Sequence, residues 1–134
     1  MNYKHNLIKE RFDLNITERN QVFKGEFEMD KHANHLIGIA LTSDRDDLLF
    51  YRGTQKIQVN DQQLFPEEFE SRLLMSGLNV APNDRMVKVG CIDTGNGRLE
   101  IWFKDKDHPS TRFVPYRVSI YVFSKVESDY SSER

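Results

Sequence analysis

The chain has 134 residues, 38% of them hydrophobic and 30% charged, with a formal net charge of −2 and both signs interspersed. That is enough chain for one domain with a core of its own. One cysteine, Cys91, excludes an internal disulfide framework and suits a reducing cytoplasm, and with no Lys/Arg run to hold phosphates nucleic acid is not expected as a partner.

The opening stretch, MNYKHNLIKERFDLNI, is charged every few positions and lacks an apolar core of seven or more, so it does not read as a signal peptide. It alternates weakly, with Leu7, Ile8, Phe12, Leu14 and Ile16 as anchors, and residues 1–19 read as an N-terminal arm or an edge strand. Residues 20–126 carry the period-2 patterns of a β-sandwich domain. In QVFKGEFEM, Phe23, Gly25, Phe27 and Met29 fall on one side and Lys24, Glu26 and Glu28 on the other, the pattern of a half-buried strand. HLIGIALT is apolar on both faces and predicts a central strand; its LIGIAL core is far too short to span a membrane.

LLFYR and QKIQV predict two short strands joined through Gly53 and Thr54, and Asn60-Asp61 is a turn dipeptide from which QQLF begins a return strand. A helix is then expected over 66–76. Pro66 suits a first helical position, Glu67, Glu68 and Glu70 complement the positive end of the helix dipole, and Gly77 suits the stop. Phe65, Phe69 and Leu73 recur every four residues and form an apolar stripe expected to be buried in the core or against a neighbour. Further on, DRMVKVGCI and RLEIWF flank TGNG, a hairpin signal. RVSIYVF is the last long strand, with Val118, Ile120 and Val122 on one face and Tyr121 and Phe123 on the other. Residues 127–134 are polar, Ser-rich and aperiodic, as a flexible tail would be. The expected fold is all-β: an antiparallel, jelly-roll-like β-sandwich with one short helix.

The inventory of reactive groups is thin. His32 and His35 are three apart, but a zinc cage needs three or four ligands and no third lies nearby. The acidic stretches SDRDD (43–47) and DKD (105–107) match no calcium-loop spacing and read as solvated turns. Cys91 sits in an apolar strand where burial would keep the thiol inert, and no serine occupies a nucleophile elbow. No metal, no cofactor and no enzymatic activity are expected. Trp102 points away from Leu99, Ile101 and Phe103; with Tyr51, Tyr116 and Tyr121 it could build a stacking surface, or anchor an interface.

From residue 21 to 126 the chain, with its FPEEF segment, its TGNG turn and its closing RFVPYRVSIYVF, resembles small one-domain β-sandwich proteins of bacteriophage particles, the jelly-roll-like capsid vertex, decoration and minor structural proteins. The resemblance implies a homo-oligomer or shell component, made in the host cytoplasm and located in the virion, whose contacts come from loops, the short helix and the terminal arms. It supplies no functional residue. The expected function is structural, through protein–protein contacts involving Phe65, Phe69, Leu73, Trp102 and Tyr116. The alternatives are a glycan- or peptide-binding module and a cytoplasmic location.

Overall fold

The computed structural model describes residues 7–60, 62–75, 87–95 and 97–126. Within them the chain runs through β1 (Leu7–Ile16), β2 (Val22–Glu28), β3 (His35–Ser43), helix α1 (Asp46–Arg52), β4 (Gly53–Val59), β5 (Gln62–Glu70), a 3-10 turn (Ser71–Leu74), β6 (Val87–Asp93), β7 (Arg98–Asp105) and β8 (Tyr116–Lys125). The strands form two four-stranded antiparallel sheets, in the orders β1-β8-β3-β6 and β2-β7-β4-β5. The fold is an all-β sandwich with one short helix, as the alternating patterns predict. Of the segment 1–19 expected as an arm or edge strand, Leu7–Ile16 is β1, at the edge of its sheet, while residues 1–6 and the 127–134 tail lie outside the described residues.

The pairing is nested. β1 pairs with β8, β2 with β7, β3 with β6 and β4 with β5, while β3–β8 and β4–β7 contacts complete the two sheets. The inward faces supply the core. Leu99, Ile101 and Phe103 of β7, Ile57 and Val59 of β4, and Val118, Ile120 and Val122 of β8 are all fully buried, joined by Leu14, Ile16, Leu36, Ile39 and Leu41. Gly25 makes room on the inward face of β2. A Cβ there would come within 2.7 Å of the Phe23 ring and 3.3 Å of Phe27, and Phe27 stacks on Phe12 of β1 at 4.8 Å.

Three local expectations are corrected. Residues 48–52 are not a strand but the body of α1, which buries Leu48, Leu49 and Arg52 on one face. Its start explains the SDRDD run. Asp46 and Asp47 occupy the first turn, where the helix dipole favours negative charge, and the Ser43 hydroxyl accepts the Arg45 N–H at 3.0 Å. Asp44 accepts the Arg117 N–H at 2.8 Å, tying this start to β8.

The second correction concerns 66–76, which is not a helix. β5 runs on to Glu70 and only Ser71–Leu74 turns, as a 3-10 segment; the stop expected at Gly77 lies outside the described residues. β5 is an edge strand, and its register slips from Ile57↔Phe65 to Gln55↔Phe69 across Pro66. A bulge on an edge is where a strand tolerates proline, because no ladder hydrogen bond is lost there. Third, the Thr94–Gly97 turn does not close a hairpin. Gly95 and Gly97 have positive φ (54° and 76°), but β6 and β7 belong to opposite sheets, so the turn carries the chain across the sandwich.

Candidate interaction surfaces

Helix α1 has only seven residues, so its position is set by what it buries rather than by intrinsic helicity. Arg52, 2% exposed, anchors its last turn. Its Nε and Nη2 donate to both Asp105 oxygens at 2.9 and 2.7 Å, Nη2 also reaches Asp107 at 2.7 Å, and Nη1 donates to the Thr111 hydroxyl at 3.0 Å. Asp105 is fully buried at the end of β7 and also accepts the Tyr116 hydroxyl (2.6 Å) and the Asn20 N–H (2.9 Å). One carboxylate thereby joins α1, β7, β8 and the turn before β2.

The electrostatics follow from this geometry. Burial alone would raise the Asp105 carboxyl, but the hydrogen bonds from Arg52, Tyr116 and the Asn20 N–H outweigh it and hold it below the ordinary carboxylate range. Asp107 is held far below that range by Arg19 and Arg52. Burial, and then the hydrogen bond to Asp105, push the Tyr116 phenol far above its usual value. Depressed carboxylates stabilise the fold above about pH 4 and lose that contribution as pH falls through their folded values. A raised phenol keeps its contribution below about pH 10 and loses it as pH rises further, because the unfolded chain then ionises first. Thermal melts from acid to alkali should show a plateau with a decline on each side. Tyr116→Phe should lower the plateau by about 1.5–3 kcal/mol and flatten the alkaline decline; profiles running parallel above pH 10 would count against this assignment.

Beside this network opens a cleft of about 570 Å³ lined by Arg19, Arg52, His108, Thr111 and Phe113 among others. Two of its three arginines are already committed, Arg52 to Asp105 and Arg19 to Asp107 at 2.8 Å, the third being Arg112.

The solvent side of α1 is different. Phe50 and Tyr51 are 42% and 45% exposed, and their rings meet edge-on at 5.0 Å. Tyr51 also packs on the His108 ring at 5.0 Å. The Arg72 guanidinium lies 5.9 Å from the Phe50 ring centre, and the next residue, Leu73, is 57% exposed. The 3-10 turn carrying Arg72 and Leu73 is pinned from below, where the buried Ser71 hydroxyl donates to Gln55 Oε1 and Gln55 Nε2 donates to the Phe69 carbonyl at 3.1 Å. Exposed apolar side chains on two adjoining elements, on backbone held by buried hydrogen bonds, have the make-up of a contact surface.

The residues singled out from the sequence separate in space. Phe65 is buried and Phe69 partly buried, their rings 4.9 Å apart on β5, whereas Leu73 leaves the expected stripe and faces solvent. Tyr116 is 3% exposed, with its hydroxyl on Asp105, so it offers no face to a partner. Trp102 lies on the outer face of the β2-β7-β4-β5 sheet, between Lys24 (5.3 Å) and Lys56 (4.6 Å), while Tyr121 belongs to the other sheet, under Arg11. Trp102, Tyr51, Tyr116 and Tyr121 therefore build no common stacking surface. His32 is turned to Asp30, with its Nδ1 3.2 Å from the carboxylate, and the Cys91 side chain lies outside the described ones.

Arg52 and Phe50 were not singled out from the sequence as functional residues, and Asp105, expected with 106 and 107 to lie in a solvated turn, instead ends β7 fully buried. A signal for the ion pair existed. Asp105 continues the inward series 99, 101, 103 of β7, and a carboxylate at an inward position requires a cation. In comparisons with known proteins, no family, no curated protein and no solved structure matches the chain.

Proposed function

We propose that the protein is a structural assembly subunit that acts through protein–protein contacts, as a component of a virus particle. The observation that carries this reading is that Phe50 and Tyr51 on α1 and Leu73 on the adjoining 3-10 turn are exposed, on backbone held by the Arg52–Asp105 pair and the Ser71–Gln55 hydrogen bond. A rigid surface loses little conformational entropy on association, so its apolar burial is available as binding free energy. The nested strand pairing supports a jelly-roll winding, an architecture that recurs in viral capsid subunits, lectin domains and cupins.

Sedimentation and thermal melting test the assembly reading together. The wild type should associate and melt at a temperature that rises with protein concentration. Phe50→Ser combined with Leu73→Ser should keep the circular-dichroism spectrum and the concentration-independent part of the stability, while weakening association at least tenfold, about 1.4 kcal/mol. A strictly monomeric wild type that binds a glycan array or an extended peptide would overturn the reading and favour a ligand-binding module. Immunodetection of the protein in purified particles tests the particle assignment separately.

A further inference from the structure

The outer face of the β2-β7-β4-β5 sheet is laid out in rows by its register. Val22, Lys104 and Thr54 form the first, Lys24, Trp102 and Lys56 the second, Glu26, Glu100 and Gln58 the third, and Glu28 with Arg98 the fourth. At the β5 edge Gln63 follows Gln58 and Glu70 follows Thr54, while the 66–68 side chains beside Lys56 lie outside the described ones. Outward orientation follows from the alternation, since Leu99, Ile101 and Phe103 point inward and are fully buried. Some of these charges are already answered. Glu70 is paired with Arg72 at 2.9 Å, and Arg98 and Lys104 have interactions of their own.

The two middle rows are not answered. The Lys24 and Lys56 ammoniums converge on one ring, 5.3 and 4.6 Å from the Trp102 ring centre. Among the described residues no carboxylate lies within ion-pair distance of either. Glu26 and Glu100 are direct cross-strand neighbours of like charge, an arrangement that destabilises a sheet. Among the described residues neither has an ion pair or a hydrogen bond. Two donor-only ammoniums on an aromatic ring thus lie next to two acceptor-only carboxylates and the Gln58 carboxamide. The rows are about 7 Å apart along the strands, a distance that one six-membered ring bridges.

We infer that this face binds a sugar that carries a carboxylate. The carboxylate takes the place between Lys24 and Lys56, the C–H face of the sugar ring lies on the negative π-face of Trp102, and hydroxyls donate to Glu26, Glu100 and Gln58. Such a ligand meets the like charges of both rows at once. A neutral sugar would leave the two ammoniums without an anion, and a polyanion would run into the Glu26 and Glu100 carboxylates. Acetate or a free amino acid matches the charges but presents no ring to Trp102. The inference does not depend on the assembly reading, because it uses a face separate from α1 and the 3-10 turn.

Trp102 is the single tryptophan, so its emission reads the site directly. The background for the test is Phe50→Ser with Leu73→Ser, in which helix-end association does not move the signal. Sialyllactose should change the emission saturably, with a dissociation constant of about 1 mM for a shallow, open site. The binding should weaken with salt. The methyl ester of sialyllactose has the same ring without the charge and should bind at least tenfold more weakly, a comparison that needs no further variant. Acetate and glycine should not compete. Lys24→Gln with Lys56→Gln should bring acid and ester to the same weak affinity, whereas Glu26→Ala with Glu100→Ala should weaken both. The inference is overturned by an ester that binds as tightly as the acid, or by competition from acetate or glycine at equal concentration. It is also overturned if Glu26→Ala with Glu100→Ala binds the acid more tightly, as a bare anion seat would, or if emission stays unchanged up to about 20 mM sialyllactose. Sedimentation of the wild type reads the helix-end contact by itself, so either reading can fail without the other.

Discussion

Replacing Arg52 with methionine should lower the stability of the domain by about 3–5 kcal/mol, because it leaves the Asp105 carboxylate buried without its cation. Arg52 and Asp105 are 2% and 0% exposed, so neither solvent nor salt can compensate for the loss. The exposed Arg19–Asp107 pair, with side chains 67% and 43% accessible, should contribute far less, as surface pairs do. Lysine is not expected to rescue position 52. Both Asp105 oxygens are engaged by a two-pronged guanidinium, a geometry an ammonium cannot reproduce. The double variant Arg52→Met with Asp105→Leu should recover most of the loss, since replacing both members removes the uncompensated charge. Urea titrations of the two single variants and the double decide the point. A single Arg52→Met variant within 1 kcal/mol of wild type would show that the network does not hold the end of the sandwich. The effect should also reach the proposed contact surface, because Arg52 fixes the last turn of the helix that displays Phe50 and Tyr51.

Phe103→Ala should cost a similar amount, about 3–5 kcal/mol, the usual range for emptying a buried aromatic site. Phe103 is fully buried on β7, where Phe23 and Gln55 are its register neighbours. Its ring is edge-on to Tyr116 at 6.5 Å, so truncation removes an aromatic contact as well as core volume. Against a total stability of about 5–15 kcal/mol for a domain of this kind, the loss is large enough to populate the unfolded state at moderate temperature. All of these contacts lie within one chain, so the melting temperature should fall equally at every protein concentration. Leu73→Ala is the matched control: at 57% exposure it should change monomer stability by less than about 0.5 kcal/mol. A loss of melting temperature relative to wild type that changed with protein concentration would show that the residue acts through an interface instead.

Each misread segment was locally ambiguous in its own way. Residues 65, 69 and 73 are four apart, and a four-residue step is both two periods of a strand and close to one turn of a helix. The spacing therefore could not choose between the states, and the proline and glutamates tipped the expectation towards helix. The structure resolves it through position: an edge strand with a bulge accommodates Pro66, so β5 continues. The apolar run 48–51 posed the reverse problem. Four apolar residues are too few to reveal a period, and only docking shows Leu48, Leu49 and Arg52 turned inward with Phe50 and Tyr51 turned out. The glycine-rich turn at 94–97 was recognised as a turn, yet turn chemistry is silent about which sheet receives the next strand.

Strand identity and facing were legible because they depend on the pleat, a property of neighbouring residues. Phe23 and Phe27 on β2, Leu99, Ile101 and Phe103 on β7, and Val118, Ile120 and Val122 on β8 all take the faces that alternation assigns them. With the spaced turn residues, those patterns were sufficient to specify an all-β sandwich. Only the tertiary structure decided that β1 pairs with β8 across most of the chain, that Arg52 meets Asp105, that Tyr116 is enclosed while Leu73 is not, and that Lys24 and Lys56 flank Trp102. Each of those facts joins residues remote in sequence, and whether a side chain is buried depends on what the distant chain lays over it, which local periodicity does not encode.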